Sequence, residues 1–426
     1  MSAAKAMNMR NTVRALQNKL FRAAKQSLDR RFGALYDKVY REDVLRTAWK
    51  QVRANDGAPG VDRQSVEYIE EVIGVEVFLA ELALELRVQR YRPQAVRRCW
   101  IEKPGKPEKR PLGIPAIRDR VVQAAVKIMI EPIFEANFLP CSYGFRPKRS
   151  THMAISQVQR AITFEKQTVV IDADIKGCYD NIRHDQLLNF VRRRISDQRI
   201  VKLIKGWLKA GVMDGGVEAP SGEMGTPQGG VISPLLANIY LHSFDKMFQI
   251  AKIPGTLVRY ADDIVVLLKR DGEQVREKVQ GMLNRLGLTL HPEKTRVVKA
   301  AEGFDFLGVH FRLRPVRKQN PRIKFSCRIW PSDRSVQRIK TRVKEVIGRK
   351  YGTALEELIR EMNPVLRGWN NYHTTVQPER KRLVKLNSFI RERFRIFLKR
   401  KYNDQSRGAR RVHGNVLVRL GLFQLG

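Results

Sequence analysis

The chain has 426 residues but only four cysteines, Cys99, Cys141, Cys178 and Cys327. They lie far apart and form no Cys-x-x-Cys pair. That excludes the usual zinc modules and a disulfide framework, and it fits a reducing compartment. Long apolar runs are also missing, so nothing in the sequence suggests a membrane span. Acidic residues are scarce: 43 Asp and Glu stand against 81 Lys and Arg, a formal net charge of +38. Such a charge strains a compact fold by self-repulsion unless a polyanion screens it. A phosphate backbone rewards many basic contacts through counterion release, which makes nucleic acid the expected polyanion. An anionic membrane surface competes for that role, but the basic residues are spread along the whole chain and not gathered in one helix. The paired glycines Gly229 and Gly230 are not followed by Gly-Lys-Ser/Thr, so they form no phosphate-binding P-loop. No repeat period and no low-complexity segment is present.

What is there centres on Tyr260-Ala261-Asp262-Asp263. Short apolar runs at 256–258 and 264–268 flank it, and they read as buried strands joined by a tight turn. Two adjacent carboxylates on such a turn repel each other above a hydrophobic hairpin. A divalent cation removes that cost, and paired carboxylates commonly hold Mg²⁺ beside a substrate phosphate. A solvated Asp-Asp turn is the plain alternative, and the rest of the chain has to decide. Residues 168–175 read as a second strand. Alternation places Asp172 and Asp174 on one face and Ile171, Ala173 and Ile175 on the other. A turn at 176–180 follows, with Asp185 as the cap of the next helix.

At this length two or three domains are expected. Residues 11–53 read as two amphipathic helices. The first carries Val13, Leu16, Leu20, Ala24 and Leu28 as an apolar stripe that continues to Phe32, Leu35 and Tyr36. It has no acidic residue before Asp29, as in a transit peptide, but the stripe favours a helix of the fold that touches RNA. Residues 66–88 are again helical, with Glu70, Glu71, Glu76, Glu81 and Glu85 on the wet side. Then 96–101 and 110–115 form a hairpin whose basic tip presents Lys103 and Arg110 as clamps for a triphosphate. A helix starts at Ile117, and 142–147 form a further basic loop. Ser233-Pro234 starts a helix with Ser at the N-cap. A helix over 275–286, the loop carrying His291 and Lys294, and a strand over 304–309 complete this part. Lys294 is a candidate phosphate contact.

Beyond Arg312 the texture becomes helical and strongly basic. Ser332 caps a helix with Val336, Ile339, Val343 and Val346 on its apolar side. Further helices follow at 355–362, ending before Pro364, and around Leu383 to Phe397. Arg338, Arg342, Lys344 and Arg367 are the expected nucleic-acid contacts on these helices. Bringing Asp174 beside the 262–263 turn in one sheet gives three carboxylates around a site for two Mg²⁺ ions.

Seven stretches, in this order, resemble the reverse transcriptases encoded by group II introns. They are Asn55-Asp56-Gly57-Ala58-Pro59-Gly60-Val61-Asp62, Arg110-Pro111-Leu112-Gly113-Ile114-Pro115, Tyr143-Gly144-Phe145-Arg146-Pro147 and Asp174-Ile175-Lys176-Gly177-Cys178-Tyr179-Asp180. The remaining three are the run from Thr226-Pro227-Gln228-Gly229-Gly230 to Leu236, Tyr260-Ala261-Asp262-Asp263, and Phe306-Leu307-Gly308. Gly368-Trp369-Asn370-Asn371-Tyr372 resembles part of a maturase domain. The resemblance implies an α+β right-hand polymerase, with fingers and an antiparallel-sheet palm followed by an α-helical thumb. The segments are 1–90 (helical extension and start of the fingers), 91–311 (fingers and palm), 312–402 (thumb and maturase domain) and 403–426 (tail).

Carried over residue by residue, Asp174, Asp262 and Asp263 match the catalytic and metal-binding carboxylates, with Asp174 and Asp262 the most direct ligands. Tyr179 matches the sugar gate, Gln228 a neighbour of the nascent base pair, and Lys103 and Arg110 the triphosphate contacts. The implied partners are a group II intron RNA, an RNA template with a DNA primer, deoxynucleoside triphosphates and, in one reading, a second copy of the chain. The implied place is the bacterial cytoplasm, with the nucleoid or a ribonucleoprotein. Many relatives continue into an endonuclease region; this sequence ends at Gly426 with no such motif, so primer would come from elsewhere, such as a replication fork. Two other readings stand beside this one. One is a splicing cofactor with an idle polymerase site, and the other is a domesticated relative serving DNA repair or phage defence.

Overall fold

The computed structural model describes residues 3–102, 109–214, 217–219, 222–226, 228–316, 324–373, 380–403 and 414–426. Lys103, at the hairpin tip, lies outside them. The chain divides into two compact units, each built from several stretches of sequence. The first holds Met1–Ser150, Ala173–Ile264 and Glu273–Thr295; the second holds Thr151–Asp172, Val265–Gly272 and Arg296–Gly426.

The first unit opens with helices α1 (Ala3–Gln26), α2 (Tyr36–Val39), α3 (Glu42–Asn55), α4 (Val66–Tyr68) and α5 (Val75–Arg87). Strands β1 (Val96–Glu102) and β2 (Lys109–Ile114) follow, and then α6 (Ile117–Glu135). Most side chains of α6 are buried, so it is the axis on which the other helices pack. The α1 stripe buries Val13, Leu20 and Ala24. Gln17 donates to the Ile128 carbonyl at 3.2 Å and Lys25 to that of Ala136 at 3.3 Å, tying α1 along α6. The stripe ends sooner than expected, because α1 stops at Gln26 and Leu28 is left exposed. The second expected helix is present as α3, which buries Leu45, Ala48, Trp49 and Val52. Before it, Asp197 accepts from the backbone N–H groups of Leu35 and Tyr36 at the start of the single turn of α2.

The helical pattern over 66–88 is broken once, by a π-turn at Ile69–Ile73 that ends on Gly74 with φ 84°. Its glutamates are tied to neighbours: Glu70 to Arg53, Glu76 to Arg46 and Glu85 to Arg118. The Asn55-to-Asp62 loop is pinned by arginines. Arg97 donates to the Pro59 carbonyl, and Arg120 to those of Gly57 and Ala58. The expected hairpin is present, antiparallel, with Arg97 opposite Ile114 and Glu102 opposite Lys109.

Along the chain come α7 (Thr151–Thr163), β3 (Val169–Asp174), α8 (His184–Arg192), α9 (Gln198–Leu208), β4 (Val212–Asp214) and β5 (Val217–Ala219). Then follow α10 (Ser233–Ile250), β6 (Gly255–Tyr260), β7 (Asp263–Leu268), α11 (Gly272–Asn284) and β8 (Arg296–Lys299). β4 pairs parallel with β1, so the basic hairpin belongs to a four-stranded sheet of order β2-β1-β4-β5. A second four-stranded sheet has the order β6-β7-β3-β8. The carboxylate-bearing ends of β3 and β7 lie in the first unit. Two helix starts differ from expectation. Helix α8 begins at His184, and Asp185 pairs with Arg183 at 2.9 Å instead of capping. In α10, Ser233 is the first helical residue, after Ile232.

The second unit adds β9 (Phe304–Phe306), β10 (Val309–Pro315), β11 (Phe325–Pro331), α12 (Asp333–Ile347), α13 (Leu355–His373), α14 (Arg380–Lys401) and α15 (Gly414–Arg419). The single strand expected over 304–309 is two. Leu307 and Gly308 take φ 49° and 73° and fold β10 back on β9, with Val309 opposite Phe306. Ser332 caps α12 as expected, its hydroxyl accepting from the Ser335 N–H at 3.2 Å. The helix expected to end at 362 runs instead through Pro364 to His373. Leu358, Met362 and Leu366 step by four on one buried side, and their burial outweighs the roughly 3 kcal/mol that an interior proline costs. Together with Ile339, Val343, Ile390, Phe394 and Phe397 they form one core, which Leu417, Leu422 and Leu425 join.

Candidate active site

Alternation in β3 does what the sequence implies: Ile171, Ala173 and Ile175 are buried, while Asp172 and Asp174 are half-buried on the other face. Asp172 faces Arg296, its partner across to β8, at 3.1 Å. Asp174 ends the strand and is fixed on three sides. Its carbonyl accepts from the His291 N–H at 2.7 Å, its N–H donates to the Thr295 hydroxyl at 3.4 Å, and its carboxylate receives the Lys294 ammonium at 2.6 Å. Lys294, expected at a phosphate, therefore sits on a carboxylate.

The turn between β6 and β7 carries the other two acids. Ala261 adopts φ 57°, a left-handed conformation that side chains with a Cβ avoid. Asp262 is half-buried and Asp263 is exposed. Burial pushes the Asp262 carboxyl above its ordinary range and the negative charge of Asp174 adds to this, while Arg110 and Arg259 oppose it. The Asp262 carboxyl on its turn thus feels both the Asp174 charge at the end of β3 and the Arg110 charge on β2. Among the described residues, no three His, Cys, Asp or Glu side chains are gathered closely enough to hold a metal ion. The charge of Asp174 acts on Asp262, and Asp263 adjoins Asp262 in the chain, so the first two are the pair that share a field. That pair fits Mg²⁺, which is usually held by one or two carboxylates and completes its shell with phosphate oxygens and water.

The 225–230 segment joins this site to the basic hairpin. Gly225 donates to the Ile182 carbonyl and Thr226 to that of Tyr179, both at 2.8 Å. The Gln228 carbonyl accepts from the Gly113 N–H at 2.7 Å, and its side-chain amide donates to Asp180 at 3.3 Å. Gly229 has φ 118°, and a Cβ there would lie 2.5 Å from the Gly113 carbonyl oxygen, so only glycine allows this approach. Tyr179, half-buried, stands close enough to Asp262 and Asp263 for both charges to raise its hydroxyl, after burial has done so. Asp174, Asp262, Tyr179, Gln228, Arg110 and Lys294 all belong to the first unit. Arg338, Arg342, Lys344 and Arg367 are exposed residues of α12 and α13 in the second. Arg342 also pairs with Glu345 at 3.0 Å, and Arg367 covers the Phe423 ring at 4.8 Å.

Sequence reasoning missed the support beneath the turn. Arg259 is fully buried and pairs with the fully buried Asp245 at 2.6 Å. Asn238 and Ser142 also accept from it. Its only signals were an arginine inside an apolar strand and an aspartate on the apolar side of α10. The 142–147 segment is the expected loop, but its Arg146 does not face solvent. Arg146 is buried and points inward, to Glu135 at 2.7 Å and to the Leu139 and Ser142 carbonyls. The reason is geometric: five donors on one planar group can satisfy a knot of inward carbonyls.

A strand-end carboxylate whose charge acts on a carboxylate-bearing hairpin turn, with a basic hairpin acting on the same group, is an arrangement suited to metal-assisted phosphoryl chemistry. Comparison with known proteins narrows the class. Residues 101–311 match the family described as reverse transcriptase (RNA-dependent DNA polymerase), and residues 336–413 match the group II intron maturase-specific domain. Protein YkfC of Escherichia coli K12 is 35% identical over 333 residues, 69% of this chain and 86% of that protein. The group II intron-encoded protein LtrA of Lactococcus lactis subsp. cremoris is 30% identical over 368 residues, 70% of this chain and 60% of that protein. An uncharacterized 91 kDa protein in the cob intron of Schizosaccharomyces pombe is 26% identical over 426 residues, 80% of this chain and 50% of that protein. The chain thus spans most of the first relative and about half to three-fifths of the other two. This chain belongs to the group II intron-type reverse transcriptases, a family of metal-dependent enzymes that joins a polymerase to a maturase domain. No described helix is long and apolar enough to cross a membrane.

Proposed function

We propose that the protein is an RNA-directed DNA polymerase that binds a group II intron RNA, assists its splicing and copies it into DNA for intron mobility. The observation that carries the reading is that the charges of Asp174, at the end of β3, and of Arg110, on β2, both act on the half-buried Asp262 carboxyl of the β6–β7 turn. In this reading 1–90 are a helical extension and the start of the fingers, 91–311 the fingers and palm, 312–402 the thumb and maturase domain, and 403–426 a short tail. The substrates are an RNA template, a DNA primer and deoxynucleoside triphosphates, and the setting is a bacterial cytoplasmic ribonucleoprotein.

The reaction joins a primer 3′-oxygen to the α-phosphorus of a triphosphate and releases pyrophosphate. Two Mg²⁺ ions, when bound, would lower the pKa of the 3′-hydroxyl and stabilise the leaving group. Asp174 and Asp262 supply the negative charge that holds them, with Asp263 beside the pair. Lys294, released from Asp174 as that charge is taken up, is left free to meet a phosphate oxygen. Arg110, with Lys103, adds positive charge to the triphosphate side. The Tyr179 ring limits room beside the sugar, and Gln228, held by Gly113 and Asp180, faces the base pair being formed. The exposed arginines and lysines of α12 and α13 grip the RNA backbone.

Primer extension on an RNA template with Mg²⁺ tests this. The protein is expected to incorporate deoxynucleotides, and Asp262→Asn to abolish incorporation while RNA affinity stays close to normal. RNA binding without incorporation by the unaltered protein would leave the splicing-cofactor reading in place. A parallel loss of RNA affinity in Asp262→Asn would refute separate polymerising and RNA-gripping surfaces.

A further inference from the structure

The arginine beneath the catalytic turn is bound at every donor. Arg259 Nε and Nη2 meet Asp245 at 2.8 and 2.6 Å, and Nη2 also meets the Ser142 hydroxyl at 2.9 Å. Nη1 meets the Asn238 side-chain oxygen at 3.0 Å and the Ala261 carbonyl at 2.9 Å. Both members of the ion pair are 0% exposed. A pair buried this deeply is a poor stabiliser, since desolvation offsets most of the attraction, and apolar residues would join β6 to α10 as well. What apolar residues lack is a donor for the Ala261 carbonyl.

That carbonyl immediately precedes Asp262. Ala261 is held in the left-handed region at a cost of about 1–2 kcal/mol, so the turn needs an outside grip to stay there. A second wall closes the cradle. The Asn238 amide donates to the Gly144 carbonyl at 2.8 Å, and a Cβ on Gly144 would lie 2.4 Å from the Ala261 nitrogen. The backbone is tied as well: Tyr143 N–H donates to the Arg259 carbonyl and Arg259 N–H to the Cys141 carbonyl, both at 2.8 Å. Ser142, Asn238 and Asp245 come from a loop and a helix whose positions the core already sets, so the guanidinium transmits those positions to the turn.

We propose that Arg259 is a positioning residue for polymerisation: anchored by Asp245, Asn238 and Ser142, it grips the Ala261 carbonyl and thereby sets Asp262 at the place beside Asp174 where a divalent cation binds. The proposal rests on the polymerase reading above and adds to it a residue that touches neither metal nor substrate.

Arg259→Lys tests it, because a lysine keeps a cation beside Asp245 but cannot span Asn238, Ser142 and Ala261 together. Mn²⁺, read by electron paramagnetic resonance on the free protein, serves as the probe. Its binding is expected to weaken about tenfold and kcat to fall about 10–100-fold, with RNA Kd and the KM for deoxynucleotide within about threefold of normal. Asn238→Ala loosens the same cradle without touching the buried charge. It is expected to shift Mn²⁺ binding the same way by a smaller factor, which keeps the test open if Arg259→Lys does not fold. Mn²⁺ binding and kcat unchanged in folded Arg259→Lys would overturn the proposal. So would a loss of Mn²⁺ binding that only tracks the unfolded fraction, together with RNA affinity, in both variants. If the unaltered protein extends no primer but Arg259→Lys still weakens Mn²⁺ binding, the polymerase reading fails and the positioning role stands.

Discussion

Replacing Gly229 by alanine probes the junction between the basic hairpin and the catalytic turn. The added Cβ would sit 2.5 Å from the Gly113 carbonyl oxygen and would also press on the Leu112 side chain at 3.2 Å. The first of these neighbours is backbone and cannot swing away. The two segments must therefore separate by at least about half an ångström to reach a tolerable contact. The 2.7 Å bond from Gly113 N–H to the Gln228 carbonyl lies at the same place and is stretched by that movement. Holding alanine at φ 118° adds conformational strain of about 1–3 kcal/mol, and a weakened backbone hydrogen bond adds about 1 kcal/mol. Stability is expected to drop by roughly 2–4 kcal/mol, read by denaturant unfolding. Displacing Gln228 and β2 from Asp180 and Tyr179 is expected to lower kcat/KM for deoxynucleotide incorporation about 10–100-fold. RNA affinity is expected to stay near normal, because the exposed basic residues of α12 and α13 are untouched. Gly281→Ala is the control. It lies in α11 with nothing within 4 Å of an added Cβ, so it is expected to stabilise by about 0.5–1 kcal/mol without changing incorporation. Gly229→Ala with unaltered stability and unaltered incorporation would refute the claim that this close approach sets the nucleotide side of the site.

Other expectations follow from the same structure. Burial holds the imidazoles of His242 and His373 down at about 4 each, so they contribute stability above the ordinary histidine range that is lost as pH falls through about 4. Among the described residues neither ring nitrogen of His242 has a hydrogen-bond partner, so His242→Leu is expected to flatten the unfolding curve between about pH 6.5 and 4 by roughly 1–3 kcal/mol. An unchanged acid limb in that variant would show that the imidazole is not desolvated. Changing Arg338, Arg342, Lys344 and Arg367 together to glutamine is expected to weaken RNA binding and lower the slope of log K against log salt by about one unit per lost phosphate contact. A weaker affinity with an unchanged slope would mean that these residues do not touch phosphate.

Much of the frame was legible in short stretches. The alternation in β3, the hairpin of β1 and β2, the cap at Ser332 and the stripes of α1 and α12 all depend on residues within a few positions of one another. The errors share the opposite character. Pro364 reads as a helix end until the core that buries Leu358, Met362 and Leu366 is seen to carry the helix through it. Nothing local to Arg146 tells that it turns inward to Glu135 and a knot of carbonyls. Leu307 and Gly308 read as one strand with their neighbours, because a positive φ leaves little trace in composition.

The sequence by itself determined the chemistry: three carboxylates, a basic hairpin, a glycine-bearing loop and a large excess of positive charge, in an order shared with one enzyme family. Only the tertiary structure decided how those groups are deployed. It placed Lys294 on Asp174 across 120 positions, and Arg259 on Ser142 across 117. It also brought the charge of Asp174 to bear on Asp262, 88 positions later in the sequence. Hydrophobic periodicity is a short-range property that a single element expresses. The partner of a buried charge is chosen by whichever distant groups the core brings within hydrogen-bonding reach, and no local pattern encodes that.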